Sequence, residues 1–397
     1  MRIVIAGAGM AGLHVAESLR GQGFDGTITL VGAESHPPYS RPPLSKEFLT
    51  GKGRGDDVGL RGSEELDALR LDLRLGNAVV ALDAQDQTVT LGDGTILTYD
   101  RLVIATGVSP RRPDTDLAGV HALRTLEDAG LIRDAIRTTN RVVVVGAGFI
   151  GAEIAASARA LGAEVTLLEA ATTPMTRAVD PRIGAVLGEL HRDNGVDLRL
   201  GSPVAAYEGD GRVERVRLAD GSAVDAPMVV VGTGVTMNTE WLRGSGVDLD
   251  PDGSVRCDEY CATSLPNVYA AGDLASWPHP LFGGRLRLEH WTNAAEQGAV
   301  VAHNLLAEVG ERTAYTPVPY FFSDQYGMKI QLLGQAAPAE TVEFVHGSPE
   351  ERKFVAFIGR GDQLVGVFGL RSTPKVMRYR PLLHQATSWA EALAAAR

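Results

Sequence analysis

The chain has 397 residues, 44% apolar and 22% charged, a composition that gives room for two or three separate cores and excludes a disordered or fibrous protein. Its net charge of -11 argues against a protein that coats nucleic acid, so an anionic partner must dock on a local basic patch. Two cysteines are too few for a disulfide scaffold, a Cys-rich zinc site or a four-thiolate iron–sulfur cluster, and no apolar run reaches the ~18 residues of a membrane span. The expected setting is therefore reducing and cytoplasmic, with no membrane and no nucleic acid.

In chain order, residues 3–6 form an apolar predicted strand that runs into Gly7, Gly9 and Gly12, opens a helix of 3.6-residue periodicity, and is followed by a second strand ending near Glu34. The plan recurs: residues 2–20 lie over 141–159 without a gap, with 9 of 19 positions identical. Residues 93–107 likewise lie over 220–234, each stretch holding an Asp-Gly turn ahead of a buried strand, 102–105 or 228–231. A strand at 267–271 and a long helix over about 293–308 follow the second copy, so the first copy is interrupted by the second.

Beyond the Pro-containing stretch 316–319 come predicted strands at 320–322, 329–333, 354–358 and 364–370, then two helical stretches. The triplet Arg360-Gly361-Asp362 spells an adhesion motif and reads as a hairpin turn. The expected fold is α/β: two Rossmann-like dinucleotide-binding domains plus a C-terminal α+β domain. The expected boundaries are 1–108 and 234–315 for the first domain in two segments, 109–233 for the inserted domain and 316–397 for the third.

Gly7, Gly9 and Gly12, and again Gly146, Gly148 and Gly151, follow a strand and open a helix, which lets backbone N–H groups and the helix dipole face a pyrophosphate. One such motif is weak; two at matched positions, each with an acid, point to two dinucleotides. Glu169 lies 18 residues past Gly151, placed to accept ribose hydroxyls and to repel a 2'-phosphate, so NADH is favoured over NADPH. Glu34, 22 residues past Gly12, is the corresponding acid of the first copy. Two sites in one chain suggest FAD in one and a nicotinamide in the other, with hydride passing between rings and no general base needed. None of the nine histidines shows metal-ligand spacing, and no metal is expected.

These residues resemble the FAD-dependent, NADH-using ferredoxin reductases of bacterial oxygenase systems, which have a glutathione reductase-like fold without a redox disulfide. The markers are residues 6–12, the run Arg41-Pro42-Pro43-Leu44-Ser45-Lys46, Ala105-Thr106-Gly107, residues 146–153, 267–273, Glu289-His290-Trp291 with Asn293, and 320–326. The resemblance spans nearly the whole chain. It implies that Ala11, Arg41, Lys46, Val79, Ala105, Arg124, Asp273 and Trp291 contact FAD, with Thr106 and Gly107 completing that strand end. It also implies that Ile150, Glu153, Gly232, Gly234 and Glu289 lie along the NADH side, and that Lys46 and Glu153 pair as the catalytic residues. Lys46 sits in a stiff Pro-rich loop, where its ammonium can stabilise an anionic reduced ring. Asn293 and Glu296 read as a helix-capping pair.

The chain departs from the family in two places. Ala33 stands where many relatives have an acid, and Phe322 where many have a tryptophan near the nicotinamide or the electron exit, which keeps a stacking face and loses an indole N–H. Residues 35–49 hold no cysteine, and Cys257 and Cys261 read as buried thiols. The expected function is electron transfer from NADH through FAD, one electron at a time, to a small iron–sulfur ferredoxin on a separate chain that feeds an oxygenase. Arg41, Arg54, Arg61, Arg371, Arg378 and Arg380 are candidates for its docking patch. The rival readings are a rubredoxin reductase, an NADH oxidase-like enzyme, and an NADH-responsive protein similar to apoptosis-inducing factor.

Overall fold

The structure, a computed structural model, describes residues 1–53, 58–337 and 339–397. They fall into two compact units. One comprises 1–40, 58–109 and 236–317, and the other 41–53, 110–235, 318–337 and 339–397.

In the first unit five parallel strands lie in the order Val268–Ala270, Arg101–Ile104, Arg2–Ala6, Thr27–Val31 and Asp72–Arg74. Arg2–Ala6 is buried over four of its five residues, as expected of a central strand covered on both faces. The helix Met10–Gly21 packs beside Trp291–Leu306. Gly298 permits the approach, since a Cβ there would press on the Ala11 carbonyl oxygen at 2.8 Å. A three-stranded antiparallel sheet, Val79–Asp83, Thr88–Leu91 and Ile96–Thr98, completes the repeat.

The second unit repeats this plan. Its parallel sheet runs Asp197–Arg199, Glu164–Leu168, Arg141–Val145, Val229–Val231 and Val120–His121, and its antiparallel sheet is Val204–Glu208, Arg215–Leu218 and Ala223–Asp225. The fifth strand differs in origin: Val120–His121 precedes the glycine turn in sequence, whereas Val268–Ala270 follows everything else in its sheet.

The same unit carries a five-stranded antiparallel sheet in the order Tyr320–Gln325, Met328–Gly334, Gln363–Leu370, Lys353–Arg360 and Thr341–Ser348. Its aromatic core includes Phe354, Phe357 and Phe368, and three short helices, Thr373–Arg378, Arg380–His384 and Trp389–Ala396, close it. Gly361 and Asp362 form the hairpin corner, with Gly361 at φ +56° and its N–H bonded to Glu340 at 2.8 Å.

The helix Pro181–Asp193 buries His191, whose Nδ1 shares a 2.6 Å hydrogen bond with the Tyr326 hydroxyl while its Nε2 is buried without a partner. Burial lowers the imidazole from 6.5 to about 4, because the charged form loses its hydration. The unfolded chain therefore binds a proton that the fold refuses, and stability falls as pH drops from 6.5 towards 4. This group should cost about 3 kcal/mol between pH 7 and pH 4. In denaturant unfolding, His191→Gln should show a shallower loss than the native chain; equal slopes would remove His191 from the acid response.

Candidate functional site

Both glycine turns divide into two kinds of position. A Cβ at Gly7, where φ is +122°, would collide with the Ala105 carbonyl, and one at Gly12 with the Gly7 carbonyl. Gly146, at φ +99°, meets Gly232 in the same way, and Gly151 meets the Gly146 carbonyl. These glycines are explained by the close packing of strand, turn and helix. Gly9 and Gly148 are not: a Cβ at either would meet nothing within 4 Å. Each is the N-cap of a 12-residue helix with no side-chain cap and no acid in its first turn. Both turns thus offer uncapped N–H groups beside open space, an arrangement that fits the pyrophosphate of a dinucleotide.

The acids are held differently. Glu169 follows the strand Glu164–Leu168 and accepts from the Ala147 N–H at 2.7 Å and the Ala171 N–H at 2.9 Å, which fixes its carboxylate against the glycine turn. Arg199 is its neighbour in the sheet, but that guanidinium is bound to Asp197 at 2.8 and 2.9 Å. Arg177 lies beside the Gly232–Gly234 turn, 3.4 Å from the Thr233 carbonyl. In the first unit Glu34 accepts from the Tyr39 hydroxyl.

The second unit also gathers its contacts on one stripe of the helix Phe149–Ala160, at the i, i+4 positions Phe149, Glu153 and Ser157. Glu153 is buried. Its Oε2 accepts from the Ser45 hydroxyl at 2.5 Å and from Lys46 Nζ at 2.8 Å, and its Oε1 accepts from the Ser323 hydroxyl at 2.6 Å. Ser157 donates to the Ser45 carbonyl at 2.6 Å, and Phe149 packs on Phe321 with ring centroids 3.7 Å apart.

Local structure delivers each donor. Pro42–Ser45 is a 3-10 turn with proline at its start, which stiffens the approach of Lys46. In the strand Tyr320–Gln325 side chains alternate, so Phe321 and Ser323 share the helix-facing side while Phe322 lies on the other. The Phe322 ring is covered by Lys329 Nζ, 4.8 Å from its centroid. With Lys46 at 11% exposure and Glu153 at 4%, the pair works in low dielectric, and three donors offset the cost of burying the carboxylate.

Of the remaining predicted residues, Arg41 and Arg124 come together in this unit, Arg41 Nη1 donating to the Arg124 carbonyl at 2.6 Å. Ile150, at 47% exposure, stands beside the Gly148 cap. In the first unit Ala11, Val79 and Ala105 are buried, and Trp291, at 40% exposure, begins its helix. The Thr106–Gly107 turn is pinned by Asn238, which exchanges hydrogen bonds of 2.7 and 2.9 Å with Thr106 and donates its N–H to Gly107 at 3.1 Å. Arg287 bridges the Asp273 carbonyl at 3.1 Å and the Glu289 carboxylate at 2.7 Å.

Several of these partners have no role assigned from sequence. Ser45 and Ser323 fall inside marker runs without a role of their own, Asn238 is an ordinary polar residue far from Thr106, Arg287 is an ordinary arginine, and only Lys46, one of five lysines beside 33 arginines, stands out by composition. The expected capping pair is not formed. His290 is the N-cap, and Asn293 is buried, donating to the Leu288 carbonyl at 3.3 Å and accepting from the Tyr315 hydroxyl at 3.0 Å. The helix starts two residues early and takes Asn293 inside. Cys257 and Cys261 are both buried; burial raises the first thiol well above its usual value and the second to about 12, so neither is a ready nucleophile. Among the docking candidates, Arg61 is bound to Glu17 at 2.6 Å, and Arg54 lies outside the described residues.

Residues 1–298 match the family model of pyridine nucleotide-disulphide oxidoreductases, and residues 320–397 match a reductase C-terminal model. The ferredoxin--NAD(+) reductase component of the p-cumate 2,3-dioxygenase system of Pseudomonas putida is 42% identical over 95% of this chain and 91% of its own length. Putidaredoxin reductase CamA of the same species is 36% identical over 92% of this chain and 87% of its own. Among solved structures, the covalent putidaredoxin reductase–putidaredoxin complex superposes with a TM-score of 0.92 at 33% identity, covering 97% of this chain and 93% of that one.

The two classes of glycine should separate on substitution. Gly12→Ala and Gly151→Ala should destabilise the protein by roughly 2–4 kcal/mol, because a backbone carbonyl has to move. Gly9→Ala and Gly148→Ala should change the stability of the cofactor-free chain by no more than about 1 kcal/mol yet weaken dinucleotide binding. Thermal unfolding and binding titrations read the two effects apart; equal destabilisation at all four sites would show that packing alone explains the motif.

Proposed function

Since the chain belongs to the pyridine nucleotide-disulphide oxidoreductase family, we propose that it works as that family's ferredoxin-reducing branch does. It is a flavoprotein reductase that uses FAD and NADH and passes electrons to a small iron–sulfur ferredoxin on a separate chain, itself serving an oxygenase. The observation that carries this reading is the pair of open, uncapped glycine turns, repeated once in each unit of a chain whose relatives are reductase components of such systems. Bound FAD supplies a two-electron acceptor for the nicotinamide that can give its electrons up singly.

The protein's contribution is placement and field. We assign the turn at Gly7, Gly9 and Gly12 to FAD and that at Gly146, Gly148 and Gly151 to NADH, with Glu169 orienting the adenosine ribose. Glu153 holds the Lys46 ammonium in place, and Ser45 and Ser323 hold Glu153. An ammonium fixed beside a buried carboxylate, with little exposure of its own, favours negative charge that develops beside it. Dithiol chemistry has no support, because Cys257 and Cys261 are buried and held as neutral thiols. Those unpaired thiols, and a nicotinamide dinucleotide as reductant, support a cytoplasmic location. No helix among the described residues is long and apolar enough to cross a membrane.

The purified protein should be yellow, bleach anaerobically on adding NADH, and recover its colour on adding an oxidised iron–sulfur ferredoxin. Rapid turnover with oxygen in place of the ferredoxin would instead make it an oxidase. Glu153→Gln should slow bleaching by NADH about 10²-fold in stopped flow while retaining FAD; an unchanged rate would remove the pair from the chemistry. Glu169→Ala should weaken NADH roughly tenfold, and Ala170→Arg should raise the kcat/KM for NADPH. Unchanged coenzyme preference in both variants would refute the ribose assignment.

A further inference from the structure

The reaction leaves one proton over. A C–H bond of NADH breaks with both its electrons, two ferredoxins take one electron each, and the sum is NADH + 2 oxidised ferredoxin → NAD⁺ + 2 reduced ferredoxin + H⁺. That proton is released once per turnover and has to reach solvent.

The second unit contains a cavity of about 440 Å³ whose walls include Lys46, Thr50, Ser157, Asn194, Asp324 and Tyr326. It is large enough for on the order of ten waters, and its hydroxyl, amide and carboxylate groups can hold them. Glu153 is not part of the wall, but Lys46 is. Lys46 Nζ gives one N–H to Glu153 at 2.8 Å and one to the Pro42 carbonyl at 3.2 Å, and an ammonium has a third to offer. Lys46 therefore has the buried carboxylate on one side and a polar cavity on the other.

The other charged groups at the cavity are already engaged or peripheral. Asp324 is paired with Lys329 at 3.2 Å, and Arg159 donates to the Asn194 and Ala163 carbonyls at 3.0 and 2.6 Å. Glu47 is exposed, and Lys52 lies on the same rim.

We propose that this cavity is the proton exit of the redox cycle, with Lys46 as the relay between the buried Glu153 carboxylate and cavity water. The Lys46 ammonium gives one proton to cavity water and regains one from the site, so its own charge is the same at the end of each cycle. The proposal rests on the reductase reading above.

Ala160→Trp, at the exposed end of the helix, and Glu47→Trp, from the opposite chain segment, each place a large side chain at the cavity. In the FAD-loaded proteins, bleaching by NADH involves no proton release and should be unchanged. Proton release on mixing the NADH-reduced protein with ferricyanide, a one-electron probe, should slow at least about tenfold, read with a pH-indicator dye. Reductive methylation read by peptide mass should reach Lys46 in the native holoprotein and be blocked in both variants, with Lys353 and Lys375 modified equally throughout. Proton release at the native rate while Lys46 is shielded overturns the proposal. Equal methylation of Lys46 in all three proteins also overturns it, because access then lies elsewhere. Failure of NADH to bleach the native protein would strike the reductase reading instead.

Discussion

A single buried carboxylate organises the second unit. Glu153 takes donors from the Pro-rich turn before Lys46, from Lys46 itself and from a strand of the C-terminal sheet. An ionised carboxylate in low dielectric is tolerable only when its lone pairs are met by good donors. Each segment must therefore arrive in register, and the side-chain stripe Phe149, Glu153 and Ser157 on one helix face fixes where they arrive. The same requirement explains why residues 41–53 belong with this unit, although in sequence they sit inside the stretch that builds the other sheet.

What could be read from the sequence and what could not divide along a physical line. The two parallel sheets were legible because their central strands are continuous β-branched runs and because glycine is forced where strand, turn and helix carbonyls crowd together. The duplication made both readable at once. The edge strand Thr341–Ser348 was missed: it alternates polar and apolar residues, is broken by a register shift near Phe344 and His346, and only one side of it is paired. The supposed Asn293 cap failed because Tyr315, distant in sequence, supplies a hydrogen bond that draws Asn293 into the core.

In the candidate site, the residues legible in advance were those whose chemistry is local: glycines that bare a helix end, acids at a strand end, and a lysine in a stiff proline turn. The roles of Ser45 and Ser323, although both lie in marker runs, were invisible for the opposite reason. A serine hydroxyl has no periodicity and no compositional weight; its meaning comes from a carboxylate brought to it over |i−j| of 108 and 170 residues. The same holds for Asn238, which ties the Thr106–Gly107 turn into the first unit over |i−j| of 132; Arg287 reaches the Asp273 carbonyl over only 14. Sequence thus pointed to the turns and acids proposed to meet dinucleotides, and the fold revealed the groups that hold those turns still.

The origin of the fifth strand in each sheet has a consequence for how the protein is made. All five strands of the second parallel sheet lie between Val120 and Val231, whereas the first sheet waits for Val268–Ala270. A chain emerging from the ribosome amino end first usually folds its domains in that order. Here the nascent polypeptide begins one sheet, finishes another, and only then receives the strand that closes the first, so the half begun earliest is completed late.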